Sequence, residues 1–158
     1  MAMKSQRVGS HVRVPAAGAN RGVLRSVMAW QVLGALFLLT MGAIHLYLDL
    51  NGVGGTLGRL FVLNVVGAVV LAIAIVVLRR RLLLVASVLG TLFTAGTLLA
   101  LVLALTVGFF GIHEVLSFEL VPTTLVVESI GTIVLAVTTA LVYRMLSRSQ
   151  VQRRGSRT

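Results

Sequence analysis

At 158 residues, 58% hydrophobic and only 11% charged, with a mean hydropathy of +1.03, the chain lies outside the composition of soluble domains, whose charged share is roughly 25%. Its net charge of +10 would suit nucleic acid, but the cations sit in blocks beside apolar runs, with no basic surface interleaved with aromatics. Nucleic acid is therefore excluded as a partner, and the absence of cysteine excludes disulfides, thiolate metal sites and cysteine nucleophiles.

Residues 1–25 are basic and poor in large apolar side chains, which predicts a disordered tail. The apolar run that follows is too long for the h-region of a signal peptide, about 7–15 residues, and no small-residue cleavage site comes after it, so it reads as a span. Four such runs are expected within residues 26–146, at about 27–48, 60–78, 82–108 and 121–146. Each covers, or nearly covers, a hydrocarbon core of about 30 Å at 1.5 Å per residue. Backbone groups in lipid need partners within the segment, so these are helices; a barrel would show shorter alternating segments. The predicted fold is all-α, a polytopic transmembrane four-helix bundle.

Between the first two spans, Asn51-Gly-Val-Gly-Gly-Thr-Leu-Gly58 reads as a flexible loop. No strand precedes its glycines, so they are not a phosphate-binding fingerprint. Arg79, Arg80 and Arg81 form a very short turn, which makes the second and third helices an antiparallel hairpin. The third run is longer than a span requires and is expected to tilt, or to unwind near Gly108 and Gly111. Residues 147–158 repeat the character of the N-terminal tail and are expected to be disordered.

Thirteen of the fourteen cations fall in the two tails, at the end of the fourth span or in the 79–81 turn; only Arg59 lies on the opposite side. The positive-inside rule then places both termini in the cytoplasm of a bacterial plasma membrane. Arg79, Arg80 and Arg81 set topology and meet anionic lipid head groups there, an attraction of about 1 kcal/mol per residue near the surface.

Each span also carries a seam of small and polar residues at spacings of three and four, which places them on one helical face. These are Gln31, Gly34, Leu38, Gly42, His45 and Asp49; then Asn64, Gly67 and Leu71; then Ser87, Gly90 or Thr91, Thr94 and Thr97; then Thr124, Glu128, Gly131 or Thr132, and Leu135. The seams are expected to face the interior, with Leu, Val and Ile towards lipid.

Glu128, Asn64 and His45 fall in roughly one layer, with Glu128 about 10 Å inside its helix. An acid at that depth costs about 2–3 kcal/mol on insertion scales and usually faces the interior with a partner. Two readings follow. In one, His45, Asp49, Asn64 and Glu128 line an outward-opening polar pocket with His113, Glu114 and Glu119 at its mouth, Asp49 orienting the imidazole from four residues away. In the other, His45, Asn64 and Glu128 hydrogen-bond one another and fix helix register. A zinc, copper or haem site built on His45 and His113 is compositionally possible but lacks a local ligand motif. No cofactor or metal is expected. No nucleophile–base pair or Walker-type loop is visible, so the chain is not expected to be an enzyme.

Gly42-Ala-Ile-His45-Leu-Tyr-Leu, followed by Gly58-Arg-Leu-Phe61-Val-Leu-Asn64-Val-Val-Gly67, resembles a family of small four-span actinobacterial membrane proteins, which also carries a Glu in its last span. That likeness covers most of residues 25–146 and implies fold, location and bacterial group, with no settled activity. The expected function is that of a non-enzymatic membrane protein, an accessory subunit of a larger complex or a homo-oligomer. The alternatives are a small proton- or cation-coupled transporter and a haem- or quinone-binding redox subunit.

Overall fold

The computed structural model describes residues 17–52, 55–108 and 120–155, which form four α-helices: α1 Ala17–Leu50, α2 Gly55–Val77, α3 Arg80–Thr106 and α4 Val121–Gly155. Each contains a stretch long and apolar enough to cross a membrane, of 27, 23, 27 and 30 residues. These come to about 40, 35, 40 and 45 Å at 1.5 Å per residue. The excess over a hydrocarbon core of about 30 Å is taken up by tilt or by helix ends among the head groups. The exterior agrees with that length. Leu63, Ile73, Leu92 and Ile133 are among many large apolar side chains left more than half exposed, a surface suited to lipid and not to water.

The expected seams of α1, α3 and α4 lie largely inside, whereas on α2 the buried line runs through Asn64, Ala68, Ala72 and Ile75 and leaves Gly67 and Leu71 half-buried. Leu38, Leu135, Ser87, Thr94, Thr138 and Glu128 are almost fully buried, and the small residues bring backbones together. An added Cβ on Gly42 would stand 3.2 Å from the Cβ of Ala68, so α1 and α2 pack closely only because position 42 is bare. Hydroxyls on the seams bond mainly to their own helix, as Ser87 does to Leu83 O at 2.8 Å and Thr138 to Val134 O at 2.8 Å. That back-bonding satisfies the proton of a buried Ser or Thr without a partner helix.

Helix ends follow local chemistry. Gly108, at φ +82°, lets the chain leave α3 just after the Val107 N–H bonds to Leu103 O, at the place where unwinding is expected from the glycines. Gly111 lies outside the described residues. The α2–α3 turn is tight enough to hold Arg80 at φ +54°, a left-handed conformation that a residue with a side chain adopts at a cost. Two expectations need correction. Residues 17–25 and 147–155 are not disordered; α1 begins at Ala17 and α4 runs to Gly155. The physical reason is that a helix satisfies its own backbone wherever it projects, and an established helix propagates at little cost into flanking residues that contain no proline. The remainder of both tails, residues 1–16 and 156–158, lies outside the described residues.

Packing runs α1–α2–α3–α4 and back to α1, and its tightness is uneven, with α2 and α3 touching least. The end of the molecule that carries the α2–α3 turn, here the tail end, is solid. Its core is built from Val27, Ala35, Leu38, Ala72, Ile75, Leu83, Ala86, Leu135 and Val142. Polar contacts tie the helices there: Gln31 Nε2 donates to Ile75 O at 2.9 Å, the Thr138 hydroxyl that bonds Val134 O also stands 3.2 Å from Trp30 O, and Thr91 and Thr139 share a bond of 3.2 Å. Towards the opposite, distal end the interior is hollow.

Candidate functional site

The hollow is a cavity of about 490 Å³ with walls from all four helices. Its sides are apolar: Leu57, Leu60, Phe61 and Leu63 from α2; Leu92, Phe93, Gly96, Ala100 and Leu101 from α3. Leu60, Leu63 and Leu92 are also exposed at 41%, 66% and 64%, so the cavity meets the lipid-facing surface along the gap between α2 and α3. Gly67 lets Phe93 reach across that gap, since a Cβ there would lie 2.8 Å from the tip of its ring. Gly96 is the opposite kind of glycine. It lines the cavity, and a Cβ built on it meets nothing within 4 Å.

Against this apolar wall stands a small polar group. His45, Asn64, Thr97, Thr124 and Glu128 all line the cavity. From the distal ends of their helices, His45 lies about 7 Å in, Glu128 about 10 Å, and Asn64 and Thr97 about 13 Å, at 1.5 Å per residue. Glu128 is 1% exposed, Asn64 7% and His45 8%. Among the described residues three buried side-chain oxygens have no hydrogen-bond partner, and two of them, Asn64 Oδ1 and Glu128 Oε2, belong to this group. Leaving a buried polar atom unpaired costs about 1–3 kcal/mol in desolvation, so such atoms mark a place where a partner is missing.

The His45 and Thr124 side chains bond within their own helices. His45 Nδ1 is 2.9 Å from Met41 O. A carbonyl only accepts, so Nδ1 carries the hydrogen, and in the neutral ring Nε2 is an acceptor. The imidazole is steadied by a T-shaped contact with Phe61, with ring centroids 4.8 Å apart and planes at 82°. The Thr97 hydroxyl stands 2.9 Å from Thr94 O and 3.5 Å from Met41 Sδ, and it also approaches the Glu128 carboxyl. Thr124 donates to Leu120 O at 2.8 Å.

Of the residues expected at one site, the structure brings together His45, Asn64 and Glu128. Asp49 is not with them. It lines a shallower depression on the distal surface with Gly55, Gly58, Arg59 and Val62, and it does not orient the imidazole, because His45 Nδ1 turns back to Met41. His113, Glu114 and Glu119, expected at the mouth, lie outside the described residues, as does half of any metal or haem site drawn from His45 and His113. Among the described residues no three His, Asp or Glu side chains are grouped so as to hold a metal ion. Arg79, Arg80 and Arg81 are exposed at the tail end. Sequence reasoning missed Phe61, Phe93 and Gly96; a glycine inside a helix and off the packing seam was the available signal.

Comparisons with known proteins add no assignment: no protein family, no curated protein and no solved structure matches the chain.

Proposed function

We propose that this is a non-enzymatic, multi-pass protein of a bacterial plasma membrane that binds a lipophilic molecule entering from the bilayer between α2 and α3. One observation carries the reading. A large apolar cavity opens towards lipid and is lined in part by Asn64 and Glu128, each of which holds a buried oxygen without a hydrogen-bond partner. Ligand pockets share this build of apolar walls with a few converging polar groups, and an ionisable residue within a span marks function more often than packing. The cation distribution supports a bundle with both termini in the cytoplasm, which puts the cavity in the outer leaflet. The resemblance to small four-span actinobacterial proteins is compatible with that placement. Binding by a single chain needs no partner, and assembly into a homo-oligomer or a larger complex would leave the α2–α3 gap as the entry route.

The test is to purify the protein in lipid nanodiscs, extract bound small molecules with solvent and compare them with a Gly96→Trp variant whose indole fills the cavity. An apolar species enriched over the bulk lipid in the wild type and lost in Gly96→Trp supports the reading. Identical extracts refute it. Topology is checked separately: the natural chain has no cysteine, so a single cysteine at Ser156 should react with an impermeant maleimide only after the cell is opened.

A further inference from the structure

The cavity has a floor. Leu57, Ala104 and Val121 line it within about 3 Å of the distal helix ends, whereas Leu92 and Phe93 are its deepest described lining residues, about 20 Å in at 1.5 Å per residue. Leu92 turns outward, at 64% exposure, so the ring of Phe93 is what closes the bottom. It reaches across to α2, where a Cβ on Gly67, about 18 Å in, would stand 2.8 Å from its tip. Phe93 in turn packs on the tail-end core. One turn further a Cβ on Gly90 would stand 3.2 Å from Ile75 Cδ1, so α3 and the side chains of α2 meet there. A depth of about 20 Å is that of one leaflet, half of a bilayer of about 40–45 Å with its head groups. The volume of about 490 Å³ is roughly three times the 150 Å³ or so that holds one benzene, which is room for about eighteen carbons. That is one lipid chain and not two.

We infer that Phe93 is a length stop: the site takes a single unbranched hydrocarbon chain from the leaflet at the distal end, parallel to the helices and with its terminal methyl against the Phe93 ring. The chain enters sideways through the α2–α3 gap, past Leu60 and Leu63, and its head stays at the distal surface. A lipid chain gains little from burial itself, since the bilayer it leaves is as apolar as the cavity. Selection therefore falls on fit. A short chain leaves part of the space unfilled and forgoes those contacts, and a long one must displace a ring already packed on the core. Gly96 lies one turn nearer the mouth, about 15 Å in, so a side chain there would set a higher floor. This inference rests on the proposed lateral pocket and adds the shape of its ligand and the residue that selects it.

The test uses phosphatidylcholine nanodiscs and the even 1-alkanols from decanol to tetracosanol, with cholestanol as a rigid fused-ring rival. The probes equilibrate between tagged discs holding the protein and empty discs, which are then separated and assayed by gas chromatography. The Gly96→Trp protein serves as the blank, so that only uptake abolished by filling the cavity is counted. The expected profile peaks near hexadecanol and falls about fivefold or more for chains about four carbons longer. Phe93→Ala removes the ring and should move the peak to chains about four carbons longer; Gly96→Leu should move it about as far the other way. Gly96→Leu fills space and opens none, so it keeps the test decisive if Phe93→Ala does not fold. A peak that stays in place in either folded variant, or uptake with no peak, overturns the length stop and leaves the pocket standing. Cholestanol bound as well as the best alkanol overturns the single chain. If no probe shows uptake above the blank, the length stop and the lateral pocket both fall.

Discussion

Replacing Gly96 with leucine should make this protein more stable, against the usual expectation that a glycine in a membrane helix holds two backbones together. Glycine in a helix interior is about 0.8–1.0 kcal/mol less favourable than alanine, and leucine ranks close to alanine. The steric term, which normally reverses that gain, is absent, because a Cβ at 96 meets no atom within 4 Å. The added carbons enter a cavity of about 490 Å³ beside Phe93, where each new carbon contact contributes about 0.1–0.2 kcal/mol. The sum is a stabilisation of roughly 1–2 kcal/mol, which for a chain of this length raises Tm by about 2–8 °C. Thermal unfolding of ligand-free protein in detergent, followed by near-ultraviolet circular dichroism, reads the change directly. A fall in Tm of several degrees would refute the reasoning, since it would show that position 96 is a packing contact and that the cavity beside it is closed.

The companion glycine should behave in the opposite way: Gly42→Leu must push α1 from α2, because Ala68 Cβ already stands 3.2 Å from the site of the new Cβ, and overpacking of this kind costs about 1–3 kcal/mol. The same unfolding assay checks it, and an unchanged Tm would mean that the two helices are not in contact there. Asn64→Leu should leave stability equal or raise it by about 1 kcal/mol, since it removes an unpaired buried acceptor whose desolvation is uncompensated in the ligand-free protein. A clear loss of stability would instead give Asn64 a structural bond. Gln31→Met removes the donor to Ile75 O and should cost about 0.6 kcal/mol, the average for such bonds between membrane helices. Faster hydrogen exchange near the C-terminal end of α2 should accompany that loss, and its absence would sink the assignment.

Much of this architecture is legible in the sequence because the bilayer imposes so severe a constraint. A backbone that cannot reach water must satisfy itself, so an apolar run of sufficient length is a helix, and its small and polar residues must turn inward. That is why Leu38, Gly42 and His45 on α1, and Thr124, Glu128 and Leu135 on α4, are all buried as their spacing predicts. The helix ends beyond the spans were less legible. Residues 147–155 have the composition of a tail, yet they continue α4 because nothing in them stops a helix already under way.

The candidate site was only half visible. Counting residues along three helices predicts that His45, Asn64 and Glu128 lie at similar depth, with Asn64 shallower than Glu128; because α2 begins at Gly55, before the expected span, Asn64 lies deeper instead. The sequence alone could not determine whether they touch, because that depends on how far the helices stand apart. The tertiary structure decided it: hydrogen bonds and small residues hold the tail end closed, α2 and α3 touch little, and the three residues line one cavity. Asp49, one turn from His45, lines a different depression with residues of α2. A one-dimensional pattern records which face a residue occupies, and only the distance between helices decides whether that face meets a neighbour or an empty space.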